Sequence, residues 1–250
     1  MLKVFFSFFC ILTLNYLIFR YNLESYFAIL ISIGLYVLLF FWLSKTTVEY
    51  NLNTKFLKLG SYSLFILFSV FLLVSLNYSL TIFLNILVFD KFPIFSISNI
   101  SLLNSLYVFL LAPFFEESIF RGKIQKYLEF RINHNAAIIL SSILFTLVHI
   151  FSNSGLIWIF ASSIFIGYVY HKSRNIYLVI TIHSFTNIVS HYLSNFDFFG
   201  SYNDNSNSFF IISIIGLILS LIGLIGLYHF RDRIYNLFLS ILKELFFNPN

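Results

Sequence analysis

The sequence predicts an all-α protein, a polytopic membrane helix bundle of about eight transmembrane helices with both termini cytoplasmic. Three observations carry that prediction. The 250 residues are 59% hydrophobic and 10% charged, with mean hydropathy +0.90, whereas a soluble domain carries about 25% charged residues. Eight apolar runs bounded by polar residues are each long enough to cross a hydrocarbon core of about 30 Å. If those runs alternate in direction, thirteen of the 15 Lys and Arg residues fall on one side, leaving only Arg20 and Lys91 on the other. Such a bias marks the cytoplasmic face.

The first run, about 2–19, reads as a retained span, because no small-x-small cleavage site precedes the polar RYNLES. Its Cys10 is the chain's single cysteine; it has no internal disulfide partner and sits as a packing residue. The second run covers 26–43. The third, 62–89, is long and carries Asn77-Tyr78-Ser79 in its middle, which predicts strong tilt or a kink. The fourth, 99–120, leads into KIQKYLEFR, where the spacing of Ile124, Tyr127 and Leu128 predicts a helix that continues to about Arg131. Runs at 136–152 and 155–171 are near the minimum length, and those at 176–193 and 208–228 complete the count.

Beyond Phe230, the tail places Ile234, Leu237, Phe238, Ile241 and Leu245 on one helical face, with Arg233, Lys243 and Glu244 elsewhere. Residues 231–247 read either as an amphipathic helix on the cytoplasmic leaflet or as a frayed extension of the last span. There is no internal repeat and no low-complexity linker. The expectation is a single integral-membrane domain, 1–250, with a catalytic core at about 99–193. The net charge of +5 follows from topology, and nothing points to a nucleic-acid partner.

The informative residues are the polar ones at depth. Within LLAPFFEESIFRG, 110–122, Glu116, Glu117 and Arg121 interrupt an apolar run, although each ionised group costs roughly 2.5–3.5 kcal/mol on insertion scales. Glu117 and Arg121 are four apart in the order that favours a helical ion pair. Glu116 points about 100° away, toward the space between helices. Two further runs each carry a histidine: His149, and His183 with Asn187 one turn on along the same face. His134 and His171 at helix ends, and His229 at the start of the tail, read as interfacial. His191 is a weaker candidate for the mouth of a cavity.

A glutamate and a histidine together can position and deprotonate water, while a second histidine with an asparagine can donate to an oxyanion. That set suits amide hydrolysis. Glu116, His149 and His183 equally make an acceptable three-ligand zinc site, and the residues alone leave both open. Other intramembrane hydrolases are excluded. There is no His-Glu-x-x-His or Gly-x-Ser-x-Gly element, and Asp90, Asp197, Asp204 and Asp232 all lie at or beyond the ends of apolar runs.

Three motifs, Glu116-Glu117-Ser-Ile-Phe-Arg121, Phe145-Thr-Leu-Val-His149 and His183-Ser-Phe-Thr-Asn187, occur in order. Together they resemble the CPBP family, the CAAX-protease and bacteriocin-processing (Abi) intramembrane peptidases, over about 105–192. The resemblance implies that Glu116 is the catalytic carboxylate and His149 its partner in activating water. It implies that His183 and Asn187 polarise the scissile carbonyl. Glu117 and Arg121 belong to the motif in a supporting position. The metal question stays open, with a metal-free mechanism favoured.

The expected function is therefore that of a multi-pass cell-membrane endopeptidase acting on a membrane-associated peptide or protein. The alternatives are a bacteriocin-immunity or partner-binding membrane protein, and a proton-coupled transporter, whose inverted repeats are not seen. One geometric condition attaches to the catalytic reading. Counted from cytoplasmic helix ends near Gly122 and Ala136, Glu116 and His149 lie at about 9 and 20 Å, at 1.5 Å per residue. They meet if the fourth helix continues past Gly122.

Overall fold

The computed structural model describes residues 2–21, 25–44, 63–89, 101–151, 155–194 and 211–226. These residues are helical apart from short turns, and the protein is all-α. In chain order the helices are α1 (Leu2–Tyr21), α2 (Ser25–Ser44), α3 (Ser63–Phe89), α4 (Leu102–Arg131), α5 (His134–Val148), α6 (Leu156–Ser173), α7 (Ile176–Ser194) and α8 (Ile211–Gly226). Each coincides with one of the eight apolar runs. α3 runs as one α-helix through Asn77-Tyr78-Ser79. Residues 231–247 lie outside the described residues.

By length and composition, α3 within Phe65–Val88 and α4 are long and apolar enough to cross a membrane. α1, α2, α5 and α8 contain shorter apolar stretches. Large apolar side chains such as Phe9, Phe19, Phe27, Leu38, Phe41 and Phe71 are exposed, a surface suited to a hydrocarbon solvent.

α4 fulfils the condition set by the sequence, for it runs to Arg131. It is not a uniform α-helix. Pro113 has no N–H to give, and the turn before it, Tyr107–Leu111, widens to π geometry, with Ala112 N–H bonded to Tyr107 O. A second π turn spans Phe120–Gln125. An α-helix over-rotates by roughly 40° for every four residues, and the wider turn opposes that drift. Glu117, Arg121, Gln125 and Glu129 consequently keep to one line.

That line seats α4 on α6. Arg121 NH2 donates to Ser163 O and Oγ at 3.1 and 2.7 Å, Gln125 Nε2 to Gly167 O at 2.9 Å, and His171 Nδ1 to Glu129 Oε1 at 3.0 Å. Each pair is 42 residues apart, so the two helices run parallel in a fixed register. At the far end Arg174, in the left-handed conformation that closes α6, pairs with Glu129 Oε2, and the His134 and His171 rings stack at 4.6 Å. Gly167 is closely packed here: a Cβ would meet Ile138 Cγ2 at 3.0 Å and Gln125 Oε1 at 3.1 Å.

The chain divides into two compact units, 1–51 with 99–184 and 52–98 with 185–250. In the first, Phe8, Ile11, Leu39, Leu43, Ile119, Phe120, Ile124, Leu144 and Val148 form a core cluster from α1, α2, α4 and α5. In the second, α3 and α8 approach through small residues. Ser220 Oγ donates to Ser75 Oγ at 2.9 Å, Gly216 lies against Ser79, and Gly223 lies against Leu72. Tyr78 Oη donates to Ser190 O, on the end of α7, at 3.1 Å.

Candidate active site

Five of the six residues picked out by sequence meet in the first unit. Glu116 and Glu117 leave the middle of α4 in different directions, as consecutive helical residues must. Glu117, wholly buried, takes Arg121 NH1 on Oε1 at 3.0 Å. The predicted pair is present, but Oε1 also receives His183 Nδ1 at 2.7 Å. Glu116, 8% exposed, sits between the two imidazoles. Its Oε1 is 3.7 Å from His149 Nε2, and its Oε2 is 3.9 Å from His183 Nε2. These separations are too long for direct hydrogen bonds and short enough for groups that share a small ligand. Asn187 follows His183 by one turn on α7.

Each histidine is aimed by its Nδ1. His149 closes α5 with φ −96° and ψ 5°, and its Nδ1 donates back to Phe145 O at 2.8 Å. The Phe145 ring lies 4.6 Å from the His149 ring, 6.1 Å from that of His183 and 5.1 Å from that of Phe120. The Arg121 guanidinium covers its face at 4.6 Å. The Phe-x-x-x-His spacing therefore has a physical meaning: the carbonyl fixes the imidazole tautomer and the ring walls the site. With Nδ1–H engaged, Nε2 of each neutral ring carries the lone pair, and both lone pairs face Glu116.

Sequence reasoning missed Ser163, which completes the Arg121 seat from α6, and Asn15, which reaches Val148 O from α1 at 2.6 Å. Only Asn15 left a trace, as a polar residue inside an apolar run. His134 and His171 stand at helix ends as expected. His191 lies on α7 with its ring edge-on to Tyr192. His229 lies outside the described residues.

The arrangement tests poorly as a metal centre. His149 and His183 face opposite oxygens of one carboxylate, bracketing it. Among the described residues no three His, Cys, Asp or Glu side chains are gathered so as to hold an ion. Glu116, His149 and His183 are not among such a group.

Residues 98–189 match the family model of the type II CAAX prenyl endopeptidases, Rce1-like. That stretch is similar to this family. It contains all seven defining residues of the three motifs. The UPF0177 protein YajF of Lactococcus lactis subsp. lactis is 39% identical over 75 residues, which are 28% of this chain and 34% of that protein. The chain thus matches about a third of that relative's length. No solved structure matches.

Proposed function

We infer that this chain is an intramembrane endopeptidase that hydrolyses a peptide bond of a membrane-associated peptide or protein with a water activated by Glu116 and His149. The observation that carries the reading is the buried Glu116 carboxylate between two imidazole Nε2 atoms, at 3.7 and 3.9 Å. Water donates one hydrogen to Glu116 and one to His149 Nε2, and its free lone pair attacks the scissile carbonyl carbon. Glu116 takes the first proton as the carbon–oxygen bond forms, then passes it to the departing amine nitrogen as the carbon–nitrogen bond breaks.

His183 and Asn187 stabilise the oxyanion. With its Nδ1–H given to Glu117, His183 can donate from Nε2 only when the ring carries both protons. No step runs through a metal. The charge bias of the loops supports a multi-pass protein of the cell membrane with cytoplasmic termini.

The test compares membrane-associated and secreted peptides, by mass spectrometry, from matched cells making wild type or Glu116→Gln at equal levels. Gln keeps the shape and removes the base. A product lost in the variant, with its precursor accumulating, supports the reading and identifies the substrate. Identical profiles sink it and favour an immunity or partner-binding role.

A further inference from the structure

The last four carbonyls of a helix have no helical N–H to receive, and at the end of α5 all four have found partners. Phe145 O takes His149 Nδ1 at 2.8 Å, Thr146 O takes the His149 N–H at 3.0 Å, and Leu147 O takes the Ile150 N–H at 3.3 Å. Val148 O belongs to a residue 1% exposed and takes Asn15 Nδ2 at 2.6 Å, across 133 residues of chain. The same stretch of α1 holds the far side of the turn. The rings of Tyr16 and Phe19 lie 5.4 and 5.7 Å from that of Phe151. α1 lies wholly outside the Rce1-like stretch.

We propose that Asn15 is a positioning residue for His149, fixing through Val148 the turn that aims the imidazole at Glu116. His149 has left helical geometry, so its ring is aimed by the turn as well as by the Phe145 carbonyl behind it. Among the described residues, the backbone closes that turn with two short-range bonds, one of them long. The Asn15 amide is a polar fixed point outside the turn. Without it Val148 O loses the bond it makes across 133 residues of chain, and the turn can rotate toward another donor. His149 Nε2 then swings away from Glu116 Oε1. The catalytic consequence rests on the peptidase reading; the positioning itself does not.

The test is 15N-histidine NMR of the full chain in detergent micelles, with His149 assigned through His149→Gln. It compares wild type, Asn15→Leu and Asn15→Gln. Leu keeps the volume, removes the donor and makes the span more apolar, so insertion is retained; Gln keeps an amide. Asn15→Leu is expected to lose the hydrogen-bonded Nδ1–H signal of His149 while that of His183 persists, and Asn15→Gln to retain both. Formation of the peptide product should fall by about 10–100-fold in Asn15→Leu and recover in Asn15→Gln. An unchanged His149 signal in Asn15→Leu overturns the proposal. Uniform loss of all histidine signals in both variants also overturns it, because that marks general unfolding. A His149 change alongside a wild type that makes no product keeps Asn15 in its role and removes the peptidase reading.

Discussion

His183 and Glu117 are joined by a 2.7 Å hydrogen bond from Nδ1 to Oε1, the same oxygen that holds Arg121. Glu117 thereby ties α4 to α7 and sets which nitrogen of His183 faces Glu116. Glu117→Gln keeps the size but halves the acceptor capacity, so His183 loses its fixed tautomer. Product formation should fall by about 10–100-fold, with the protein still folded, as measured by peptide mass spectrometry beside a thermal melt.

Arg121 makes two kinds of contact that a lysine cannot make together, a charged bond to Glu117 and a two-point bond to Ser163. Arg121→Met leaves the Glu117 charge buried without its counter-ion, a loss of about 3–5 kcal/mol. Arg121→Lys should recover only part of it. Unfolding in detergent, followed by circular dichroism, ranks the three proteins.

Gly167→Ala places a methyl against Ile138 and the Gln125 amide. Overpacking of this kind costs about 1–3 kcal/mol. The same melts should show a lowered Tm, and substitution of exposed Gly155, whose nearest neighbour is Trp158 Cβ at 4.0 Å, should show almost none.

The bracketing of Glu116 by two histidines on opposite oxygens predicts indifference to metal. Product formation should be unchanged after exhaustive treatment with a zinc chelator, and added zinc should not accelerate it. A chelator-sensitive rate that zinc restores would overturn the metal-free mechanism.

How far the sequence reached depends on the range of the interaction. Helix positions follow from apolar runs, and the extension of α4 followed from Ile124, Tyr127 and Leu128. The Glu117–Arg121 pair is local, four residues apart, and was legible for that reason. The second partner of Glu117 was not, because it depends on how α7 is rotated against α4. Ser163 and Asn15 act across 42 and 133 residues, and no periodicity encodes such distances. The π turns also escaped, since helical spacing assumes one pitch throughout.

The register of α4 on α6 has a mechanical consequence. Three polar contacts at a constant offset work as a key in a keyway. Sliding one helix along the other would strip Arg121, Gln125 and Glu129 of their partners at once. α4 and α6 must therefore travel as one piece, carrying Glu116 with them.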